Sequence, residues 1–371
     1  GLGRPAESNW TDFALDLGGG GVASGFFASR WSKGPSTAVY SPSRAVENLF
    51  WMGRYTERVE NVGRLLRAVG QRLAESDPAH LATLKVLTRL SDKARLREPS
   101  ENASSLTPAA KKLPVSLGPE WVIAATGDPK VVNGVPANTA RLLFCATQLR
   151  ERMSLDHWRT VQRLAHVHEP TPQSLEASLA ILDRIIPACT ALAGYALDDM
   201  TRDDAWRFLV IGRDLERMAS LSSAAMQVLG LPDEDSDTVL GALLEIGNVS
   251  MTYRARYQRH PELIPVLDLL VLDESNPHSV CFQLAALYNH LNQIWAQLAF
   301  RPVNDPASLL LALREFDLVE LEGPRMSQDK PGKPLAALLT ACESCVYGLS
   351  DELTQRFFIH AGEHPQTSVA A

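Results

Sequence analysis

Phe50-Trp51-Met52-Gly53-Arg54-Tyr55-Thr56-Glu57-Arg58 ends a hydrophobic run on the signature G-R-x-x-E-R, and Leu209-Val210-Ile211-Gly212-Arg213-Asp214-Leu215-Glu216-Arg217 repeats it. The offset is 159 residues for the glycines and for the final arginines alike (212 − 53, 217 − 58). Both copies sit in apolar stretches of helical period, and self-similarity at one long offset points to a duplicated helical unit. At roughly 100° per residue, Trp51, Arg54, Tyr55, Arg58, Val62, Leu65 and Val69 share one face of the first helix. Glu47 lies on that face and Glu57 at its edge. Sinking two arginines beside Trp51 and Leu65 costs several kcal/mol unless carboxylates pair with them. Glu57, three residues from Arg54, and Glu47 are the candidate partners. The second copy has Trp206 in place of Glu47 and Ser220 in place of Asn61, so the first copy is the more polar.

The chain has 371 residues, 45% of them hydrophobic, enough for one large domain or two. A net charge of −7 without a basic tail argues against a nucleic-acid binder. Five cysteines in no dense framework suggest a reducing cytoplasm. No run approaches the ~18 apolar residues of a membrane span, so no membrane helix is expected. The chain opens on Gly1 rather than Met, as a piece of a longer polypeptide would.

Residues 1–40, with Gly18 to Gly21 and a Ser/Pro stretch, read as a linker. Ser41-Pro42 supplies an N-cap and first-turn proline for the first long helix. A second helix is expected over about 79–96, then a long loop to about 136 with one helical turn near Trp121. Further helices are expected over about 137–152, 154–167, 171–199, 202–229, 236–259, 277–299, 304–318 and 333–358. Thr201 is the expected N-cap of the second signature helix. With no convincing alternating strand, the expected fold is all-α: a bundle of two related halves, about 41–170 and 171–358, followed by a tail over 359–371.

The stretch Ser43 to Arg58 resembles the opening of the bacterial alpha-E domain family. Thr201 to Arg217, Ser250 to Tyr257 and Leu269 to Pro277 match further elements of its pattern, in order, so the resemblance covers about 41–358. Three places depart from it. His278 stands where an arginine is usual after Asn-Pro, Cys145 and Thr147 lie where Asn and Arg are usual, and the Asp-x-x-Asn-Pro element is eroded near Asp128-Pro129. The resemblance implies a companion of circularly permuted ATP-grasp proteins, in cis or in trans, often with a transglutaminase-like protein nearby. ATP-grasp enzymes activate a carboxylate as an acyl phosphate and join it to an amine. ATP and Mg would therefore enter through the partner ligase, and no cofactor is expected in this domain. Gly1 to Arg4 and Gly18 to Gly21 faintly resemble the end of an ATP-grasp domain.

Arg54, Arg58, Arg213, Arg217 and Arg254 against Glu47, Glu57, Glu216 and Asp273 make five cations and four anions. That near balance permits a self-neutralised structural network, the competing reading to an anion site. In a site, Arg54 and Arg58 would bind a carboxylate or phosphate bidentately. Tyr253 or Tyr257 would close over it, and Glu57 would be the candidate catalytic acid/base or would orient an arginine. Ser250, Tyr253, Arg254 and Tyr257 share a helix face by spacing. Asp273 and Asn276 fit a polar pocket, or a turn and N-cap opening the next helix. Cys342-x-x-Cys345 reads as buried hydrophobes rather than a metal site, and His166-x-His168 makes a poor chelate on a helix, so no metal is expected. The chain has no G-x-S-x-G, Walker-type loop or H-E-x-x-H. Two functional readings follow: a substrate-positioning accessory domain of an ATP-grasp peptide ligase, or an enzyme acting on a carboxylate through the Glu/Arg cluster. A pure scaffold is the third.

Overall fold

The computed structural model describes residues 44–97, 118–229, 236–298, 303–321 and 332–358. The linker 1–40, the Ser41-Pro42 cap and the tail 359–371 lie outside them. Among the described residues there is no strand, and the fold is all-α, with thirteen α-helices. These are α1 (Arg44–Glu75), α2 (Leu81–Lys93), α3 (Glu120–Gly127), α4 (Val135–Gln148), α5 (Leu155–Ala165), α6 (Leu175–Asp198) and α7 (Asp204–Val228). Then come α8 (Ser236–Ile246), α9 (Ser250–Tyr257), α10 (Leu263–Leu267), α11 (Val280–Leu298), α12 (Ala307–Arg314) and α13 (Lys333–Phe357).

Helix α1 is the axle. Leu49, Phe50, Met52, Val59, Leu66 and Val69 are all buried, because α7, α4 and α6 pack around it. Its acidic first turn (Glu47) and basic last turn (Arg72) suit the helix dipole. Helix α7 packs on α1, α11 and α13. Its N-cap is Asp203, which accepts from Trp206 N at 2.8 Å, and not the expected Thr201. The indole of Trp206 donates to Ala196 O at 2.8 Å and pins the α6–α7 turn. The 159-residue offset that relates α1 to α7 also carries α6 onto α13.

Gly53 and Gly212 set the spacing of the two signature helices. A Cβ on Gly53 would lie 2.0 Å from Leu209 O and 3.2 Å from Arg213 N. A Cβ on Gly212 would lie 2.2 Å from Phe50 O and 3.2 Å from Arg54 N. The contacts are reciprocal under the same offset, and only residues without a side chain allow backbone to meet backbone this closely.

Three elements differ from the sequence reading. The helix expected over 236–259 is two, because α8 ends on Asn248 at φ 59°, with Val249 N bonded to Leu244 O at 2.9 Å in a left-handed C-cap. The single helical turn expected near Trp121 is the longer, eight-residue α3. Residues 263–272, left without a helix, form α10 and a π-helical turn over Asp268–Leu272. Helix α6 is long and apolar enough to cross a membrane by length and composition alone, although Glu176, Asp183 and Arg184 interrupt its apolar run. It packs on α1, α3 and α5, and Asp183 on it meets Arg67 of α1 at 3.3 Å.

Candidate functional site

The glycine crossing brings the two signatures into one cluster, and its ion pairs run between the helices. Arg54 Nε donates to Glu216 Oε2 at 2.7 Å, and Arg58 grips the same carboxylate through Nε at 2.6 Å and Nη2 at 2.9 Å. Reciprocally, Arg217 grips Glu57 through Nε at 2.6 Å and Nη2 at 2.8 Å, with Arg213 Nη2 at 3.8 Å from it. The expected pairing of Glu57 with Arg54 inside one helix is therefore replaced by pairing across the crossing. Glu47 stays outside the cluster, half-buried and near Cys145.

Each glutamate is shared by two arginines. Four guanidiniums share two carboxylates where water is scarce, Arg54 being 7% exposed and Glu57 2%. Among the described residues, the only other carboxyl against Arg213 and Arg217, besides the Arg64-paired Glu60, is that of Asp214. Burial works against ionisation of Glu57, but Arg217 and Arg213 outweigh it and hold the carboxyl below its usual range. Arg54 and Arg58 do the same for Glu216. The adjacent Asp214 has no such grip, and burial pushes its carboxyl up to about 7. A second pair, Arg64 with Glu60 at 2.8 Å, is buried one turn further along α1. The reading of the sequence missed it, although Glu60 and Arg64 have the i,i+4 spacing of helix ion pairs.

A cleft of about 290 Å³ opens beside the cluster. Its lining pairs up under the 159-residue offset: Glu57 with Glu216, Arg58 with Arg217, Asn61 with Ser220, Val62 with Leu221. Where α1 offers Glu60, Arg64 and Leu65, α7 offers Ala219, Ser223 and Ala224. The small residues of α7 make the room, and α1 adds Glu60 and Arg64 to the charges that both helices share. Two donors on the lining residues, Arg54 Nη1 and Asn61 Nδ2, are buried without a partner. Lys93 at the rim is engaged by Glu343 at 2.6 Å.

A family model described as "a predicted alpha-helical domain with a conserved ER motif" matches residues 42–358. The chain belongs to the Alpha-E family. The dipeptide Glu-Arg occurs in this Alpha-E chain at 57–58, 151–152 and 216–217, and the first and last of these form the reciprocal cluster. The uncharacterised proteins Rv2567 of Mycobacterium tuberculosis and Mb2597 of Mycobacterium bovis are each 27% identical over 336 residues. The match covers 86% of this chain and 37% of either relative, so the chain spans little more than a third of their length. No solved structure matches it.

Not every expected site residue of this Alpha-E domain reaches the cleft. Arg54, Glu57, Arg58, Glu216 and Arg217 line it, and Arg213 backs Glu57. Arg254 is exposed elsewhere. Tyr253 is buried, with its hydroxyl donating to His260 O and accepting from Glu262 N, both at 3.0 Å. Tyr257 donates to Asp268, and Asp273 pairs with Arg256 at 2.6 Å. Tyr253, Tyr257 and Asp273 thus fasten the loop after α9, and neither tyrosine covers the cluster. Asn276 is not the N-cap of α11; Ser279 is, accepting from Phe282 N at 3.0 Å. Asn276 instead ties Leu269 O to the backbone N–H of His278. That tie holds His278 at the cleft, where burial and the nearby Arg217 lower its pKa to about 4. Cys342 is fully buried, and burial pushes its thiol up to about 12. Among the described residues no group of three or more His, Cys, Asp or Glu is placed to hold a metal.

Asp214 gives a pH signature. Its folded pKa lies above its ordinary 3.8, so between about pH 4 and 7 the folded state keeps a proton that the unfolded chain has lost. Stability from this group is full below pH 4 and falls by up to about 1.4 kcal/mol per pH unit until pH 7. His157, His278 and His290, depressed by burial to about 4, act in the opposite sense up to about pH 6.5. The comparison is therefore between wild type and Asp214→Asn. Thermal melts should show the variant gaining on wild type by a few kcal/mol from pH 5 to pH 8. A difference that does not change with pH would show that Asp214 is already ionised.

Proposed function

We propose that this domain positions the carboxylate substrate of an ATP-grasp-type carboxylate–amine ligase in the cytoplasm, acting in cis or in trans. The observation that carries the reading is the stoichiometry of the cluster, with two arginines for each glutamate and unpartnered donors on residues that line a cleft. A partly buried cationic surplus is costly, and an anionic ligand relieves it. Arg58 spends its Nε–Nη2 edge on Glu216, so a ligand meets the outer Nη groups of Arg54 and Arg58. Glu57, locked as a carboxylate by Arg217, orients that arginine and is poorly suited to moving a proton. This favours positioning over catalysis by the domain itself. The ligase partner rests on the family resemblance, and the greater length of the relatives fits a domain that works beside others. ATP and Mg would be handled by that partner.

Calorimetry should find a short peptide with a free C-terminal carboxylate bound at least tenfold more tightly than its amide, with Arg58→Gln removing the difference. Equal affinities would end the anion reading. In a reaction with an ATP-grasp partner, ATP and cell extract, mass spectrometry should detect a condensation product that depends on this domain. The same product without the domain would assign it a scaffold role.

A further inference from the structure

Resting on that anion reading, we propose that the cleft takes a carboxylate borne by an apolar residue, namely the C-terminal residue of a peptide ending in a leucine-like side chain. Arg54 and Arg58 present charge at one part of the cleft, while the charges that line it near Leu65 are already engaged, Arg64 by Glu60 and Lys93 by Glu343. Along α1 its lining runs from Arg54 and Arg58 through Asn61 to Leu65, about 16 Å at 1.5 Å per residue. Along α7 it runs from Glu216 and Arg217 through Ser220 to Leu221 and Ala224. Leu90, Leu243, Ile246 and Leu270 complete the apolar walls.

An inorganic anion would use the guanidiniums and leave those walls facing water. A fatty chain would use the walls and leave the amide of Asn61 unanswered. An N-acyl amino acid uses all three. Its carboxylate meets Arg54 and Arg58, its acyl carbonyl accepts from Asn61 Nδ2, which lacks a partner, and its side chain enters the apolar space. The volume of about 290 Å³ lies at the small end of ligand pockets, roughly 300–1,000 Å³, and accommodates one residue. Ala224 creates the apolar space, because the position equivalent by offset on α1 is Leu65.

The test is calorimetry of the full chain with N-acetyl-L-leucine, N-acetylglycine, N-acetyl-L-leucinamide and inorganic phosphate. N-acetyl-L-leucine should bind at least tenfold more tightly than N-acetylglycine, about 1.4 kcal/mol, and the amide should not bind detectably. Ala224→Leu, which fills the apolar space, should bring N-acetyl-L-leucine down to the level of N-acetylglycine. Equal affinity for the leucine and glycine ligands, or a preference for phosphate over both, would overturn this inference and leave the anion reading standing. An undiminished leucine preference in a folded Ala224→Leu would overturn the placement of the side chain. Failure of every carboxylate and of phosphate would remove the anion reading itself. If Ala224→Leu does not fold, the wild-type series decides alone.

Discussion

Arg217→Ala is expected to lower the unfolding free energy by about 3–5 kcal/mol, the cost of leaving a buried carboxylate without its partner. Glu57 is 2% exposed and loses both of its hydrogen bonds in this variant. Arg213, at 3.8 Å, is too distant to replace them. Arg58→Ala should be milder, because the structure gives the two glutamates unequal second partners. Without Arg58, Glu216 keeps its 2.7 Å bond to Arg54, and Arg58 is the more exposed arginine, 22% against 13%. The loss for Arg58→Ala should be smaller, about 1.5–3 kcal/mol, the range of a hydrogen bond to a charged group. Urea unfolding of both variants checks the order, and equal losses would mean that Arg213 moves in to take over Glu57.

Gly53→Ala is expected to destabilise by about 3 kcal/mol or more, beyond the usual range for overpacking. The added methyl would meet a backbone carbonyl at 2.0 Å, and no side-chain rotation relieves that contact. The helices must part, which also lengthens the arginine–glutamate bonds one turn away. Gly212→Ala, at 2.2 Å from Phe50 O, should behave alike. In contrast, Gly194→Ala, with nothing within 4 Å, should stabilise α6 slightly by helix propensity. Thermal melts of the three variants settle this, and a mild Gly53→Ala would show that the crossing has slack.

The fold class was legible because the helix period and the repeated signature survive in one dimension. The site was legible in its residue types but not in its pairings. Glu57 stands three residues from Arg54, a satisfactory partner until the crossing angle places Arg217 against it instead. The loop after α9 misled for a related reason: two tyrosines and an arginine at helical spacing suggest a pocket, and only the fold shows Tyr253 spending its hydroxyl on local backbone. Pro261 and Pro265 hid α10, since Pro265 occupies a first turn where its missing N–H costs nothing. The cleft itself was hidden because its volume comes from Ala219, Ser220, Ser223 and Ala224, residues informative only when each is set beside its counterpart in α1.

The reciprocal contacts across the two glycines are those of an isologous interface, in which residue i meets j and j meets i. A single copy of the signature helix could not neutralise itself, because each glutamate takes its arginines from the other helix. Such a unit standing alone would be an obligate pair of identical subunits, with any ligand seated on the dyad and met twice over in the same way. Joining the copies in one polypeptide frees them from that identity. One wall of the dyad can then shrink to alanine and serine while the other keeps its charges, and a symmetric seam gains a front and a back.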